Sequence, residues 1–346
     1  MKLSYRAILI VSAIFIAGIF YWALFSPKEE ISERIYKTLK EQEKRADLMF
    51  KDVTFEEVVS GIKYWQLKAN SATVNKTTQI ATLKDAHGTF FKKGKAVLRF
   101  RSPAALWDMK DKEILLDNPL GYDVKLDRKI SSLLKTLKKS RFSMFNLPKL
   151  YKNGLGYWFQ ANNLSWKLAD QKLICTGGIM LNKGEVTGYA EKLQSDVALE
   201  RIILEGKPKI TIAPNNTSPI TLEAEVFEVI SEEDIILARG NPKIIWEEAK
   251  VSANNIKYLQ RKEVLELSEK VFIDYGDIRA WGDSADYLTL EQKIIIEGKA
   301  SAVQGDNKLS GEKVMVSLKN KKISVVGKGK VVITEEDLPA GRQGWK

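Results

Sequence analysis

The chain has 346 residues, of which 44% are hydrophobic and 29% charged, and its formal net charge is +11. This composition is that of a globular protein with a substantial core and not that of a disordered chain. One cysteine and one histidine exclude an intramolecular disulfide framework, and they exclude a zinc site built from these two residue types. The apolar runs are short, rich in Val and Ile, and separated by Gly and Lys, which predicts a mainly β protein.

The segment 1–28 is predicted to form an N-terminal transmembrane anchor. The stretch from Ala7 to Phe25 contains no charged residue. As a helix it would be roughly 28 Å long, close to the hydrocarbon thickness of a bilayer. Lys2 and Arg6 precede it, so the positive-inside rule places the short N-terminus in the cytoplasm and the rest of the chain across the membrane. The competing interpretation is a cleaved signal peptide, for which the apolar stretch is long and the residues after it are a poor cleavage site.

Residues 29–50 are predicted to form a helical linker. Their apolar residues recur at spacings of three, four and seven, which indicates an amphipathic helix. These residues are Ile31, Ile35, Leu39, Ala46 and Met49. We expect this helix to be a stalk or a lid.

A repeated unit of roughly 30 residues, within the range of known structural repeats, begins near Trp65. Each copy starts with a small residue, continues with apolar and polar residues in alternation, and closes about half a unit later on a turn, typically at Gly. The clearest copies start at Ala161, Ala190, Ala224, Ala253, Ala285 and Gly311, and looser ones start at Ala72 and Ala105. Such a period is typical of a stacked architecture in which each unit contacts its neighbours. We expect two or three strands per unit, joined by tight turns such as Glu205 to Pro208.

Alternation within the strands predicts one apolar and one polar face, so the apolar face must be buried against a second sheet. The residues predicted to share the apolar face, and to line any groove there, are Leu265, Leu267, Ile294, Ile296, Val314, Val316, Ile323 and Val325. The pattern leaves open whether that face is a filled core or an open groove.

Two blocks of repeats are predicted, because the stretch from Leu126 to Tyr151 interrupts the period and has a partly helical pattern. The first block is 51–150 and the second is 151–333. The tail, 334–346, has no strand pattern.

At this point the residues resemble a known family. Trp65 to Ala69 and Ala81 to Asp85, after an anchor, resemble the LptC family of lipopolysaccharide export. Ala253 to Tyr258 and Ala285 to Tyr287 resemble the related LptA/OstA repeats. The chain is about twice as long as an anchored member of this family, so it resembles an LptC-like block, 51–150, joined to an LptA/OstA-like block, 151–333.

The resemblance implies antiparallel β-jelly-rolls (β-tacos) whose apolar interior holds the acyl chains of lipid A. It implies an inner-membrane, single-pass protein with most of its chain in the periplasm. The implied partners are lipopolysaccharide, the inner-membrane ABC transporter that extracts it, and LptA-like or outer-membrane assembly proteins that join by edge-strand addition.

Two other functions are weighed against export. A polysaccharide-acting β-solenoid enzyme needs clustered carboxylates. The densest acidic spot is Asp283 to Asp286, which is expected on a turn. A structural or adhesive β-repeat protein is the other alternative, and the sequence does not separate it from lipid carriage.

No catalytic residue, cofactor or metal site is expected. Cys175 lies in an apolar stretch and is expected to be a buried small hydrophobe, and His87 is expected on a solvated turn. Positive charges are spread over the chain apart from one cluster, Lys135 to Arg141, without the aromatic interleaving of a nucleic-acid site. No nucleic-acid partner is therefore expected.

Overall fold

The computed structural model describes residues 31–45, 47–128, 130, 156–213 and 218–332. The predicted anchor (1–28), the tail (334–346), the basic cluster at 135–141 and most of the interrupting stretch lie outside these residues. Within them, no helix is long and apolar enough to cross a bilayer.

The described chain is mainly β, which confirms the predicted class. One helix, α1, spans Ile31–Arg45, and a 3-10 helix spans Val124–Leu126. The first ten strands are β1 (Leu48–Val59), β2 (Ile62–Asn75), β3 (Ile80–Lys92), β4 (Lys95–Asp108), β5 (Glu113–Asp117), β6 (Leu120–Asp123), β7 (Trp158–Gln160), β8 (Asn163–Lys167), β9 (Lys172–Lys183) and β10 (Val186–Asp196). Thirteen more follow: β11 (Arg201–Glu205), β12 (Lys209–Ile212), β13 (Ile220–Glu223), β14 (Val226–Ile230), β15 (Ile235–Arg239), β16 (Lys243–Trp246), β17 (Ala249–Ser252), β18 (Asn255–Leu259), β19 (Val264–Tyr275), β20 (Ile278–Leu288), β21 (Lys293–Gln304), β22 (Asn307–Ser317) and β23 (Lys322–Val332).

The strands form one antiparallel ladder in chain order. Eleven strands are long and undivided, and the other twelve form six pairs, such as β5 with β6, whose two members together occupy the place of one long strand. Counting each pair as one rung, the described ladder has 17 rungs from β1 to β23. Antiparallel neighbours need only short turns, which explains why consecutive rungs are adjacent.

Every rung bends near its middle, and the line of bends, which we call the crease, divides the ladder into two arms. The first arm ends in turns near residues 76–79, 109–112, 168–171, 197–200, 231–234, 260–263, 289–292 and 318–321. The second arm ends in turns near residues 60–61, 93–94, 184–185, 247–248, 276–277 and 305–306, and β6 pairs with β7 in the same arm.

The crease explains the repeat. Each bend in one strand has a small residue, such as Ala161, and the bend in the next strand has a residue with positive φ, such as Gly177. The two residues are the same number of positions apart in every such pair. The seven pairs are Ala69 and Asp85, Ala161 and Gly177, Ala190 and Gly206, Ala224 and Gly240, Ala253 and Glu269, Gly282 and Gly298, and Gly311 and Gly327. Each repeat is therefore a hairpin of the first arm, running from the crease to the tip and back.

Three predictions from the sequence mistook the crease for hairpin turns. Glu205 to Pro208 is the bend between the collinear strands β11 and β12. His87 lies within β3, and Asp283 to Asp286 lie within β20, each just after a crease residue. Bends and turns both use positive-φ residues, so their sequences look alike.

At Gly206, glycine is required by contact as well as by backbone conformation. Gly206 has φ +81°, and a Cβ placed there would lie 2.6 Å from Cβ of Glu191. Only a residue without a side chain allows strands to approach this closely at a bend.

Helix α1 packs on the outer face of the first arm. Ile35 and Leu39 are buried against Leu106 and Leu115 of β4 and β5, with Ile31 at the margin of the same cluster. The three apolar residues share one face of the helix, as their spacing predicts. Within the predicted linker, 29–50, the helix is thus held against the sheet, and β1 begins at Leu48.

The ladder is continuous across residue 150, the predicted boundary between blocks. Strand β5 pairs with β8, and β6 pairs with β7. The division into blocks 51–150 and 151–333 stays a prediction.

Candidate functional site: the apolar interior between the arms

The residues predicted from alternation form two straight rows on the inner face of the first arm. The register places members of a row directly opposite each other on successive strands. One row is Leu265, Tyr287, Ile294, Val316 and Ile323, and the other is Leu267, Ala285, Ile296, Val314 and Val325. All are buried except Ile323 and Val325 of the last strand, which are half-buried and pack against the same cluster. That these side chains bind lipid stays a prediction.

Both rows continue towards the N-terminus, and the first contains one polar residue, Ser195 of β10, between Leu173 and Ile202. Upstream of Leu267, the second row consists of Ile256, Ala238, Phe227, Leu204, Leu193, Cys175, Leu164, Leu116, Ala105, Leu83, Ala72 and Phe50. An apolar band of this kind can be kept from water only if the opposite arm covers it.

The second arm supplies that cover. Its inner row alternates large residues with glycine in the N-terminal half, as Gly88 beside Phe100 and Gly121 beside Phe159 illustrate. A Cβ at Gly121 would lie 2.3 Å from the Phe159 ring, so the ring packs flat on the neighbouring backbone. Sequence alternation did not identify this row, because glycine interrupts its apolar pattern.

Aromatic rings from the two arms meet inside the N-terminal third of the ladder. Trp65 of the second arm lies 5.0 Å from Trp107 of the first, and Phe90 lies 5.4 Å from Trp166, measured between ring centroids. Such edge and tilted contacts add roughly 0.5–1.5 kcal/mol each to the burial of the rings. The arms are therefore packed against each other here.

Near the middle of the ladder the interior is filled in this structure. Between Leu181 and Gly188 of the second arm and Leu204 and Val229 of the first lies a cavity of about 10 Å³. A space of that size holds no more than about one water molecule. Of the two possibilities that the sequence left open, the structure shows the packed one at this place, so an acyl chain could enter there only if the arms separate.

Contacts between the tips of the two arms, which we call the seam, join the arms at several places along the ladder, and beside Lys92 they border a cavity of about 660 Å³. Lys92 of the second arm pairs with Asp196 and Glu200 of the first, at 2.7 and 2.6 Å. Lys183 of the second arm pairs with Asp234 of the first at 2.5 Å.

The seam continues towards the C-terminal end of the ladder. Lys321 of the first arm lies 3.3 Å from Glu248 of the second, and the Tyr275 hydroxyl donates to the Leu318 carbonyl at 2.9 Å. Even the closest of these partners in sequence, Tyr275 and Leu318, are 43 residues apart. Sequence reasoning missed the seam because its contacts join distant parts of the chain.

The seam shifts the proton affinities of its members. Partial burial by itself raises the pKa of Asp234, but hydrogen bonds from Lys183 and Arg261 outweigh it and hold that pKa below its ordinary value. Burial by itself lowers the pKa of Lys92, but its bonds to Asp196 and Glu200 outweigh this and hold that pKa above its ordinary value. Both shifts favour the charged forms that make the ion pairs.

Chemistry-bearing residues are not gathered into a reactive site in the described part of the chain. Cys175 is buried in the second row, and burial raises the pKa of its thiol, so it is not a reactive nucleophile. In the described ranges, no group of three or more His, Cys, Asp or Glu residues could hold a metal ion.

Both ends of the ladder are open edges. Leu48, Met49 and Phe50 of β1 and Val331 and Val332 of β23 are exposed. An exposed strand edge with apolar side chains is a surface on which another strand can pair.

A family model for "LptA/(LptD N-terminal domain) LPS transport protein" matches residues 160–322, somewhat less than half of the chain. The matched segment runs from the end of β7 to the first residue of β23. The family consists of transport proteins, which agrees with the prediction that the chain is not an enzyme. A comparison with functionally curated proteins finds no match.

One solved structure with a significant match is that of LptH from Pseudomonas aeruginosa. Its title describes it as the LptA-homologous periplasmic component of the lipopolysaccharide transport device. The two sequences are 17% identical over 35% of this chain and 99% of that chain, with a TM-score of 0.32. The predicted resemblance is thus confirmed only at the level of the wider family, by the sequence match: over residues 160–322, the chain carries a segment of the LptA/LptD N-terminal type.

Proposed function

We propose that this protein is a membrane-anchored periplasmic component of lipopolysaccharide export. It accepts lipopolysaccharide from the inner-membrane ABC transporter and passes it along the apolar interior towards the outer membrane. The observation that carries this proposal is the inner face of the first arm, where one row is apolar in every described rung and the other in every rung except at Ser195. The match of residues 160–322 to a lipopolysaccharide-transport family supports the same function.

The interior suits acyl chains because it is apolar and continuous. Burying a methylene group is favourable by about 0.8 kcal/mol, so several long chains bound there would compensate for the loss of contacts between the arms. In this function the seam is the boundary that separates when lipid enters and closes behind it. The phosphorylated sugar stays outside, where a net charge of +11 attracts it.

The anchor and the two edges give the proposed path a direction. Residues 1–28 hold the N-terminal end of the ladder at the inner membrane, next to the transporter. The edge at β1 faces that partner, and the edge at β23 adds a strand of an LptA-like or outer-membrane assembly protein. In this function 51–150 is the LptC-like part and 151–333 the LptA/OstA-like part.

The test is a photo-crosslinking scan of β21 and β22 in cells. A photoreactive residue replaces, one at a time, the inward-facing Ile294, Ile296 and Val316. Matched controls replace Ile295 and Met315, which are also apolar but point outward on the same strands. Lipopolysaccharide adducts at the inward positions alone are expected. Equal yields of lipopolysaccharide adducts at Ile295 and Met315, or no adduct at any position, would contradict the proposal.

A second candidate function is a structural or adhesive scaffold, and the filled interior favours it. A scaffold needs a stable core and no space for a ligand, as seen between Leu181 and Leu204. The same scan separates the two functions, because a scaffold gives protein–protein crosslinks at its surface and no lipid adduct inside.

A further inference from the structure

A small basic pocket lies on the outer face of the second arm, away from the apolar interior. Its volume is about 220 Å³, and its lining includes Lys68, His87, Arg99 and Arg101. Asp127, which follows the 3-10 helix after β6, is the one carboxylate among the described residues that line it. We call these five residues, together with Tyr122, the basic pocket.

Strand register places the cations of the basic pocket next to one another. Lys68 of β2 lies opposite His87 of β3, and His87 lies opposite Arg101 of β4. Arg99 is two residues from Arg101 on the same strand and therefore points to the same face. Like charges this close on one face of a sheet destabilise it.

The described chain neutralises this charge only in part. Nε of Arg99 is buried and lies 3.3 Å from Oδ1 of Asp127 in an ion pair, without the geometry of a hydrogen bond. Among the described residues, neither Lys68 nor Arg101 forms an ion pair with a carboxylate. Tyr122 contributes a hydroxyl, which donates to Asp127 at 3.3 Å. Three permanent positive charges thus share one negative charge.

His87 reports the resulting positive potential. Burial lowers the pKa of His87 below its ordinary value, and the charges of Arg101, Lys68 and Arg99 lower it further. A hydrogen bond with the Asp85 backbone acts in the opposite direction but is outweighed. At neutral pH the imidazole is therefore uncharged; its one N–H bonds to the Asp85 backbone, and its other nitrogen is an acceptor.

We propose that the basic pocket is an anion-binding site for a phosphate monoester. Two arginines offer planar forks that match phosphate oxygens, and Lys68 adds a point charge. A bound phosphate would remove the repulsion between the cations and supply the negative charge that Asp127 alone does not provide. Only the source of the phosphate, a phosphorylated lipid head group, rests on the proposed export function.

His87 is the one histidine of the chain, so its NMR signals can be read without assignment. The experiment titrates the His87 pKa in the full-length protein, held in phosphatidylcholine nanodiscs and labelled at histidine. One series contains glucose 1-phosphate and the other sodium chloride at equal ionic strength. Bound phosphate neutralises the neighbouring cations, so the His87 pKa is expected to rise by roughly half a unit or more.

Two arginine variants decide whether the rise comes from this pocket. Arg101→Gln removes the largest charge effect on His87, so its His87 pKa is expected to start higher and to respond little to glucose 1-phosphate. Arg279→Gln removes the same charge from an exposed residue of β20, also on the outer face of the second arm, and is expected to behave as the wild type. No rise above the chloride series, or an unchanged rise in Arg101→Gln, would overturn the proposal.

Further ligands identify the source of the phosphate. Inorganic phosphate, glucose 1-phosphate and a diphosphorylated lipid A are compared, with glucose as the neutral control. A stronger response to lipid A indicates a lipid head group, and equal responses indicate a free phosphate. Because lipid adducts in the interior and the His87 response are measured separately, either proposal can fail while the other stands.

Discussion

Nζ of Lys183 lies 2.5 Å from Oδ1 of Asp234, so a turn of the second arm is tied to a turn of the first arm that is 51 residues away in sequence. Arg261, on the next turn of the first arm, approaches the other oxygen of Asp234 at 2.7 Å. The carboxylate therefore joins three turns. Any molecule that enters the interior between these tips must break this group of contacts.

Removing the Lys183 charge should loosen the seam at this position. Both partners are about one-fifth exposed, so the pair is expected to contribute about 1 kcal/mol, more than a fully solvated pair. Lys183→Met should lower the free energy of unfolding by that amount. In the crosslinking scan it should also raise the yield of lipid adducts inside. Urea unfolding and a double-mutant cycle with Asp234→Asn measure the coupling.

Lys192→Met is the matched control. Lys192 pairs with Glu205 at 3.0 Å, but both residues are near the crease on adjacent strands and are about 40% exposed. Its loss should change stability by a few tenths of a kcal/mol and leave lipid adducts unchanged. An equal effect of both variants would contradict a special role for the seam.

Acid should weaken the seam within a defined pH range. The pKa of Asp234 is held below its ordinary value of 3.8, so its contribution to stability is complete above that value and is lost as the pH falls below it. For Lys92, whose pKa is held above 10.5, the contribution is complete below that value and is lost at higher pH.

Between about pH 5 and pH 9 the ion pairs should therefore be intact, whereas salt should weaken them. Wild type and Asp234→Asn should differ in stability at pH 6, and the difference should shrink as the pH falls below 3.8. A difference that does not change with pH in this range would show that the effect of the substitution is not electrostatic.

Alanine at a crease glycine should be costly. Gly206→Ala combines a strained positive φ, which costs about 1 kcal/mol, with a clash against the Glu191 side chain at 2.6 Å. We expect a total of about 2–3 kcal/mol by urea unfolding.

Gly276→Ala separates the two effects. Gly276 also has positive φ (+61°), but no atom lies within 4 Å of the added Cβ. Its cost should be limited to the backbone strain, about 1 kcal/mol. Equal costs at both positions would show that close packing at the crease contributes nothing.

Helix α1 should detach when its polar attachment is removed. Asp117 of β5 is fully buried and accepts hydrogen bonds from Ser32 at 2.6 Å and from Tyr36 at 3.0 Å. The double variant Ser32→Ala with Tyr36→Phe leaves this carboxylate without two donors, which costs about 1–3 kcal/mol. Hydrogen exchange of the α1 amides should accelerate, while exchange in β9 and β10 stays unchanged.

Lys40→Ala is the control for helix docking, because Lys40 is exposed on the same helix. It should leave exchange in α1 nearly unchanged. Equal acceleration in both variants would mean that helix fraying, and not the contact with Asp117, sets the exchange rate.

The sequence predicted the strands of the first arm well because their inner faces alternate strictly, as Ile294 and Ile296 on β21 do. It predicted the second arm poorly, because glycines such as Gly88 and Gly188 stand where apolar residues would have marked the inner face. Residues near the crease were misread as turns for the reason seen at His87: a positive-φ residue marks a bend and a hairpin equally well. The seam and the basic pocket depend on partners brought together by the twist and register of the ladder, which no local pattern contains.

Because the interval between paired crease residues is constant, every repeat adds the same two rungs, and the length of the molecule depends on the number of repeats. Strands in a ladder are about 4.8 Å apart, so the described rungs span roughly 80 Å from one edge to the other. Each added unit of two rungs lengthens the protein by roughly 10 Å without changing any existing contact except those at its edge. The reach of such a chain is therefore counted in repeats, and a longer or shorter version requires only a change in their number.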